Sequence, residues 1–328
     1  MTVEAPDHAL QSKQNLPNEN GAYAEVDGVQ VYYNYVPPSI STSSQPLHIC
    51  LHGFGASSFS FCPFTEKLLA PYDPPVLAYD APGFGFTARP GKLRFYTPGF
   101  SARVASSLAF AFSPKRKYVV IAHSMGALAA CRLLLKEPNR IEALILIAPA
   151  ILPGSQLPKW LQRGIRFLAV VFVNIAVALS FVFAPILAMI LRMAFRPEQT
   201  WRSALRLARD ASQPLPDEIV DGYRQPLNAP GWEKGIINFT RATLKERAKA
   251  LDTAEDFVAM ISRLTYAPRM LIVHGESDVI VPLANSKTLA KGLGAQLKVM
   301  KHCGHVPHEE DPVQFSNIVY QFLHHSDV

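Results

Sequence analysis

The sequence predicts an α/β protein built on a mostly parallel, doubly wound sheet. Short apolar runs alternate with helical stretches, turn-forming residues separate them, and the alternation lapses from about 151 to 262 before resuming. Near-continuous Val, Ile and Leu runs of four to eight residues suit strands buried on both faces, as in a parallel sheet covered by helices.

The elements follow in order. Residues 1–20 are polar, carry acids near the start and lack the apolar core of a secretory signal, so they are expected to form a disordered tail. The stretch 22–36 reads as two strands turned at Asp27-Gly28, the antiparallel edge of the sheet, and 37–46 as a surface loop. "LHICLHG" opens a third strand, 64–70 a helix, "PVLAYD" a strand, 99–112 a helix, "KYVVIAHS" a strand, 125–137 a helix and "IEALILIAP" the sixth strand. After the lapse come "RMLIVHGESD", a helix near 284–293, "AQLKVMKHCGH" and a last helix from about 312. The core is thus expected over 21–150 and 263–328, with 151–262 a helical cap inserted after the sixth strand.

Composition bounds the chemistry. At 328 residues and 49% hydrophobic, the chain can bury a large core. The net charge of +6 is local: eight basic residues and one acid lie between Lys159 and Arg209, and the remainder sums to −1. The four cysteines show neither C-x-x-C pairing nor paired spacing, which excludes a zinc knuckle or disulfide scaffold and suits a reducing compartment, cytoplasmic or organellar. No dinucleotide fingerprint or phosphate-cradling glycine loop implies a cofactor. The basic residues flank an apolar run and are not interleaved with a polar surface, which argues against nucleic-acid binding.

In an open α/β sheet, chemistry gathers where strands end at their carboxyl side. Four such places carry reactive or shaping groups. In "AHSMG" (122–126) a serine stands at a strand-to-helix junction with small residues two before and two after, the requirement of a strained nucleophile elbow; a serine N-cap would account for it as well. "HGFG" (52–55) and Met125 offer the backbone N–H groups of Phe54 and Met125 to an oxyanion. "HGESDVIVP" (274–282) puts Asp278 in a loop, with Glu276 its rival, where a carboxylate can orient a histidine. "KHCGHVPHEEDP" (301–312) holds three histidines without a ligand set spaced for a metal; His305, after Gly304, is the better general base, His302 ends the strand and His308 packs beneath the loop.

Oxyanion loop, Ser, Asp, His, each at a strand end, is the chain order of α/β-hydrolases, and the sequence resembles that superfamily over about 21–150 and 262–325. "YDAPGFGFTARP" (79–90) is similar to the family's D-x-P-G-x-G-x-S loop, with Thr87 where serine is usual; there Asp80 and Gly83 shape the pocket. Two departures are Ala122 for the first elbow glycine, and Pro149, which removes an alternative acid position. The resemblance implies Ser124 as nucleophile, His305 as base and Asp278 as acid, and sets aside members that attack with an aspartate. "HSMG" resembles both esterases and carbon–carbon bond hydrolases. His123, Trp232 and Phe239 are expected at the substrate pocket.

Within the insertion, 167–191 has no charge in 25 residues and is flanked by Arg166 and Arg192. Its length would suffice to span a bilayer, but one crossing would part Ser124 from Asp278 and His305, and two would need roughly 40 residues. A cap broken near Pro185, touching one leaflet with its arginines toward anionic headgroups, is the consistent expectation. An oily lid of this kind suits a lipophilic ester, as in plastid and cyanobacterial hydrolases of acyl lipids or the chlorophyll phytyl ester. Carbon–carbon hydrolysis or haloperoxidase-like chemistry on the same triad, and a catalytically silent binder of a lipophilic ligand, are the alternatives.

Overall fold

The computed structural model describes residues 20–38, 45–68, 73–151, 159–249 and 253–324; the expected N-terminal tail lies almost wholly outside them. Eight strands form one sheet in the order β1-β2-β4-β3-β5-β6-β7-β8. They are β1 (Gly21–Val26), β2 (Val29–Val36), β3 (Leu47–Leu51), β4 (Val76–Tyr79), β5 (Tyr118–His123), β6 (Ile141–Ile147), β7 (Arg269–Gly275) and β8 (Gln296–Met300). The β1–β2 and β2–β4 pairings are antiparallel and the rest parallel, which makes the opening hairpin the antiparallel edge. Asp27 and Gly28 both take positive φ, 51° and 79°, the backbone of a two-residue turn whose twist matches the flanking strands.

Each central strand divides its side chains between the two faces. On β5, Val120 and Ala122 join the cluster containing Ile49, Leu51, Leu144 and Ile272, whereas Val119 and Ile121 join the one containing Cys50, Ile145 and Val273. The first face is covered by α2 (Pro98–Phe112), α3 (Gly126–Lys136) and α10 (Leu283–Leu293), the second by α1 (Cys62–Leu68) and α12 (Pro312–His324), with the short α11 (Pro307–Glu310) between β8 and α12. The winding reverses around β3, which is flanked by β4 and β5, so the carboxyl ends of β3 and β5 open onto a shared crevice.

Between β6 and β7 run α4 (Lys159–Val182), α5 (Ala184–Phe195), α6 (Glu198–Ala208), α7 (Asp217–Arg224), α8 (Trp232–Lys249) and α9 (Ala254–Ile261). Helices α4 and α5 meet at Phe183 with a bend of 81°. The break falls beside Pro185, because a proline is tolerated in the first turn of a helix but not inside one. The inserted segment is shorter than 151–262 in one respect. Helix α9 sends Phe257 and Ile261 into the cluster beneath α3 and α10, so the core resumes near 254.

Candidate active site

Ser124 stands between β5 and α3 with φ 50°, a conformation that costs a non-glycine residue energy and is stored at functional sites. The strain is held in place by the backbone. The Ser124 N–H donates to Ile147 O (2.8 Å), and Ser124 O accepts from Ala127 and Ala150 (3.1 Å each). The demand for small neighbours has a visible cause at Gly126, where a Cβ would lie 2.4 Å from Leu51 O. Ala122 is fully buried in the sheet and fits.

His305 Nε2 lies 2.9 Å from Ser124 Oγ, and His305 Nδ1 lies 2.8 Å from Asp278 Oδ2. With Nδ1–H donating to the carboxylate, Nε2 is left to accept the serine proton. The Asp278 side chain is fully buried, whereas its rival Glu276 is exposed. Asp278 Oδ1 accepts the N–H groups of Ile280 (2.8 Å) and Val281 (3.0 Å). Burial alone would raise the carboxyl's pKa; hydrogen bonds from His274 and His305, the charge of His305 and the Val281 N–H together hold it well below the ordinary range.

His274 is a residue the sequence did not announce. Its Nε2 stands 3.0 Å from Val281 O and 3.2 Å from Asp278 Oδ2, and its Nδ1 is 2.8 Å from Ser286 Oγ. One tautomer satisfies all of these: Nε2–H shared between the two oxygens, with the serine hydroxyl donating to Nδ1. A histidine inside the apolar run "LIVHG" was the available signal.

The amides expected to hold an oxyanion flank the serine. Met125 is the N-cap of α3, and Gly53, next to Phe54, comes so near that a Cβ there would lie 3.1 Å from Ser124 Cβ. Among the described residues, neither the Phe54 nor the Met125 N–H donates to a protein acceptor. The loop is braced by His52, whose Nδ1–H donates to Gly53 O (2.7 Å) and whose Nε2 accepts the Ala81 N–H (2.9 Å). Asp80, also buried, takes the N–H groups of Ser58 and Phe86 (2.7 Å each), which ties the 79–90 loop to the crevice. Gly83 in that loop has φ 101°.

The three residues expected at the pocket separate. Phe239 is there: with Leu51, His52, Tyr96, Met125 and Gly126 it lines a cavity of about 30 Å³ beside the serine. Its ring packs on Phe84 and Phe54, with centroids 4.9 and 5.7 Å away. His123 is not. It is buried behind the site, with Nε2 2.9 Å from His305 O and its ring between those of His305 and His308. Successive residues of a strand point to opposite faces, and His123 takes the face away from the substrate side. Trp232 lies in a separate hollow with Arg192, Arg196 and Arg224. His302 does not end the strand: β8 stops at Met300, and His302 is the second residue of the following turn with φ 55°, which no extended strand allows; His308 packs beneath the loop with Nε2 3.2 Å from Ser60 Oγ.

The insertion grips the loop that carries His305. The His305 N–H donates to Ala208 O (2.7 Å), and a Cβ at Gly304 would lie 2.6 Å from that same oxygen. Arg209 pairs with Glu309 at 2.8 Å with both side chains buried, Tyr223 OH donates to Glu309 (2.6 Å), and the Asp210 N–H donates to Glu310 (2.7 Å). Spacing of four and three places Arg202, Arg206 and Arg209 on one face of a continuous helix, but Arg206 is exposed and Arg209 is buried. It follows the end of α6, where the backbone turns extended, and points into the core.

The profile of the family described as "Alpha/beta hydrolase family" matches residues 49–318. The chain is 25% identical to the uncharacterized hydrolase YugF of Bacillus subtilis over 309 residues, 91% of this chain and 96% of that protein. It is 30% identical over 112 residues to a 2-hydroxymuconate semialdehyde hydrolase of Pseudomonas sp. strain CF600, 34% of this chain and 38% of that one. To the pimeloyl-[acyl-carrier protein] methyl ester esterase of Nitrosomonas europaea it is 26% identical over 209 residues, 61% and 68% of the two chains. A profile that runs from the third strand into the last helix, over a sheet whose strand ends bring a strained serine against a histidine, leaves one conclusion: the chain belongs to the alpha/beta hydrolase family.

Proposed function

We propose that the protein is a serine hydrolase that cleaves carboxylic esters of lipophilic substrates through an acyl-enzyme. The unbroken hydrogen-bonded path from Asp278 through His305 to Ser124 carries the proposal. His305 Nε2 removes the Ser124 proton as Oγ attacks the ester carbonyl carbon, and the resulting oxyanion is received by the Phe54 and Met125 N–H groups. Collapse of the tetrahedral intermediate breaks the bond to the alcohol oxygen, which takes the proton from His305. Water then enters, gives a proton to the same nitrogen and attacks the acyl carbon; collapse releases the acid and returns the proton to Ser124. Asp278 keeps His305 in the Nδ1–H tautomer and stabilises the imidazolium formed in both halves.

Apolar surface on the loops around the site supports a lipophilic substrate. Phe54, next to the oxyanion turn, is 58% exposed, Val279 and Ile280 follow Asp278 and are exposed, and Leu207 is exposed one residue before the carbonyl that holds His305. Burying hydrocarbon against such a rim is worth about 25 cal/mol per Å². The likeness to a methyl ester esterase agrees with the bond type. A second reading, carbon–carbon hydrolysis on the same three residues, is favoured by the higher identity of the segment shared with the 2-hydroxymuconate semialdehyde hydrolase.

Turnover of p-nitrophenyl esters of rising chain length tests the proposal. Preference for long chains, with labelling by a fluorophosphonate probe, is expected. Ser124→Ala should abolish labelling and lower kcat by roughly 10⁵-fold while the fold persists. Labelling that survives the substitution overturns the nucleophile. No ester turnover at any length, with cleavage of a vinylogous diketone, moves the protein to the carbon–carbon class; neither activity makes it a binder.

A further inference from the structure

Among the described residues, twenty large hydrophobic side chains are exposed, and eleven of them fall between Val171 and Met193. They form stripes. On α4, Phe172, Ile175, Leu179 and Val182 follow one another at helical spacing, and on α5, Ile186, Met189 or Ile190, and Met193 do the same. Phe172, Val182 and Met193 are 71%, 72% and 69% exposed. The inner sides of both helices pack on α8, so these helices are apolar toward the protein and away from it. A helix of that composition requires apolar surroundings on each side, and the described residues supply only one.

We propose that the outer face of the α4–α5 elbow docks the protein on an anionic phospholipid surface, with the hydrocarbon of one leaflet covering the stripes. Three observations select lipid over a protein partner. First, Asn174 and Ser180 are the polar side chains in the uncharged run 167–191, and both turn back on their own helix: Asn174 Nδ2 donates to Val170 O (2.9 Å) and Ser180 Oγ to Val177 O (2.6 Å). A protein interface carries about one hydrogen bond per 100–200 Å². Ser180 Oγ also accepts from Arg241 of α8, which leaves exposed Asn174 as the polar side chain on this face among the described residues, and hydrocarbon asks for few such groups.

Second, arginines line a hollow beside the stripes, one of them without an acidic partner among the described residues. The hollow, of about 600 Å³ at the end of α5, is lined by Arg192, Arg196, Arg224 and Trp232, with Asp221 also on its rim. Arg192 pairs with Glu233, and Arg224 with Glu198 and Asp221; exposed Arg196 has no acidic partner among the described residues. A tryptophan beside arginines suits the headgroup level of a bilayer. Third, a single crossing would part Ser124 from His305, whose Nε2 lies 2.9 Å from its Oγ. No single described helix is long and apolar enough to span; α4 and α5 pass on length and composition only as a pair, and that pair is bent by 81°, a shape that suits an element entering and leaving by one leaflet. The elbow lies in the interface.

This docking is independent of the hydrolytic reading. Flotation of the full chain with phosphatidylcholine vesicles, with and without phosphatidylglycerol, tests it. Binding is expected, stronger with phosphatidylglycerol, and unchanged in Ser124→Ala. The triple variant Phe172→Glu, Val182→Glu, Met193→Glu, altered at exposed positions, should keep its circular dichroism and lose about a hundredfold or more in vesicle affinity. Arg196→Glu should remove much of the phosphatidylglycerol preference and leave the weaker binding. A wild-type chain that ignores both vesicles, or a folded triple variant that binds as well as wild type, overturns the proposal. So does a wild-type dimer that ignores vesicles and that the triple variant dissociates, which would make a second copy the cover.

Discussion

Asp278 receives four N–H donors, from His274, His305, Ile280 and Val281, around a carboxylate removed from water. Such crowding serves the anion, and it holds the carboxyl below its ordinary value against the opposing pull of burial. Asp278→Asn keeps the shape and removes the charge, so in the proposed mechanism the imidazolium of each half-reaction would lose its counter-ion and the His305 tautomer its anchor. The rate of fluorophosphonate labelling should fall by about 10⁴-fold with the protein still folded. Labelling at the wild-type rate would remove Asp278 from the relay. At this scale the positions of Ser124, Asp278 and His305 beyond strand ends were legible in the sequence, and the structure brings the three within hydrogen-bonding distance in series. The sequence was misleading at His123, because adjacency to a nucleophile says nothing about which face of the sheet a side chain takes. It was silent on Glu309, whose partner Arg209 lies 100 positions away.

Helix α6 ends where the loop carrying His305 begins to need support. Ala208 O, Arg209 and the Asp210 N–H meet His305, Glu309 and Glu310 in turn. The insertion is therefore part of what positions His305. Arg209→Met leaves Glu309 buried without its cation and should cost about 3–5 kcal/mol in urea unfolding. Adding Glu309→Met removes the stranded charge and should recover much of that loss, a coupling that a double-mutant cycle reads directly. A pair of additive effects would mean the two side chains act separately. Strands and flanking helices followed from periodicity because each has one dominant environment. The insertion resisted it because its helices are apolar on several sides, as in α4, or capped by prolines that read as breakers, as before α6 and α7.

Among the described residues, burial disfavours the charged form of four histidines. Burial lowers the pKa of His48 to about 4 and that of His308 to about 3, and it lowers those of His52 and His123 as well. All four start from 6.5 in the unfolded chain, so below that pH the unfolded state binds more protons than the folded one. Their stabilisation is complete above pH 6.5 and is lost as pH falls, each group contributing about 1.4 kcal/mol per pH unit. Glu309 and Glu310, raised chiefly by burial, work the other way from pH 4.5 upward, two groups against four. Urea midpoints should therefore drop between pH 6.5 and 5, and a midpoint that stays level or rises would contradict the neutral burial of these rings.

The hydroxyl of Ser124 and the imidazole that would activate it are 181 positions apart, and the whole insertion lies between them. Neither local helix formation nor the early hairpin can bring them together; only closure of β6 onto β7 does so. Parallel pairing across so long a connection is slow, because the chain must give up the entropy of a large loop before contact rewards it. Until β6 and β7 are paired, Ser124 therefore stands without His305, and the catalytic arrangement proposed above can form no earlier than that closure.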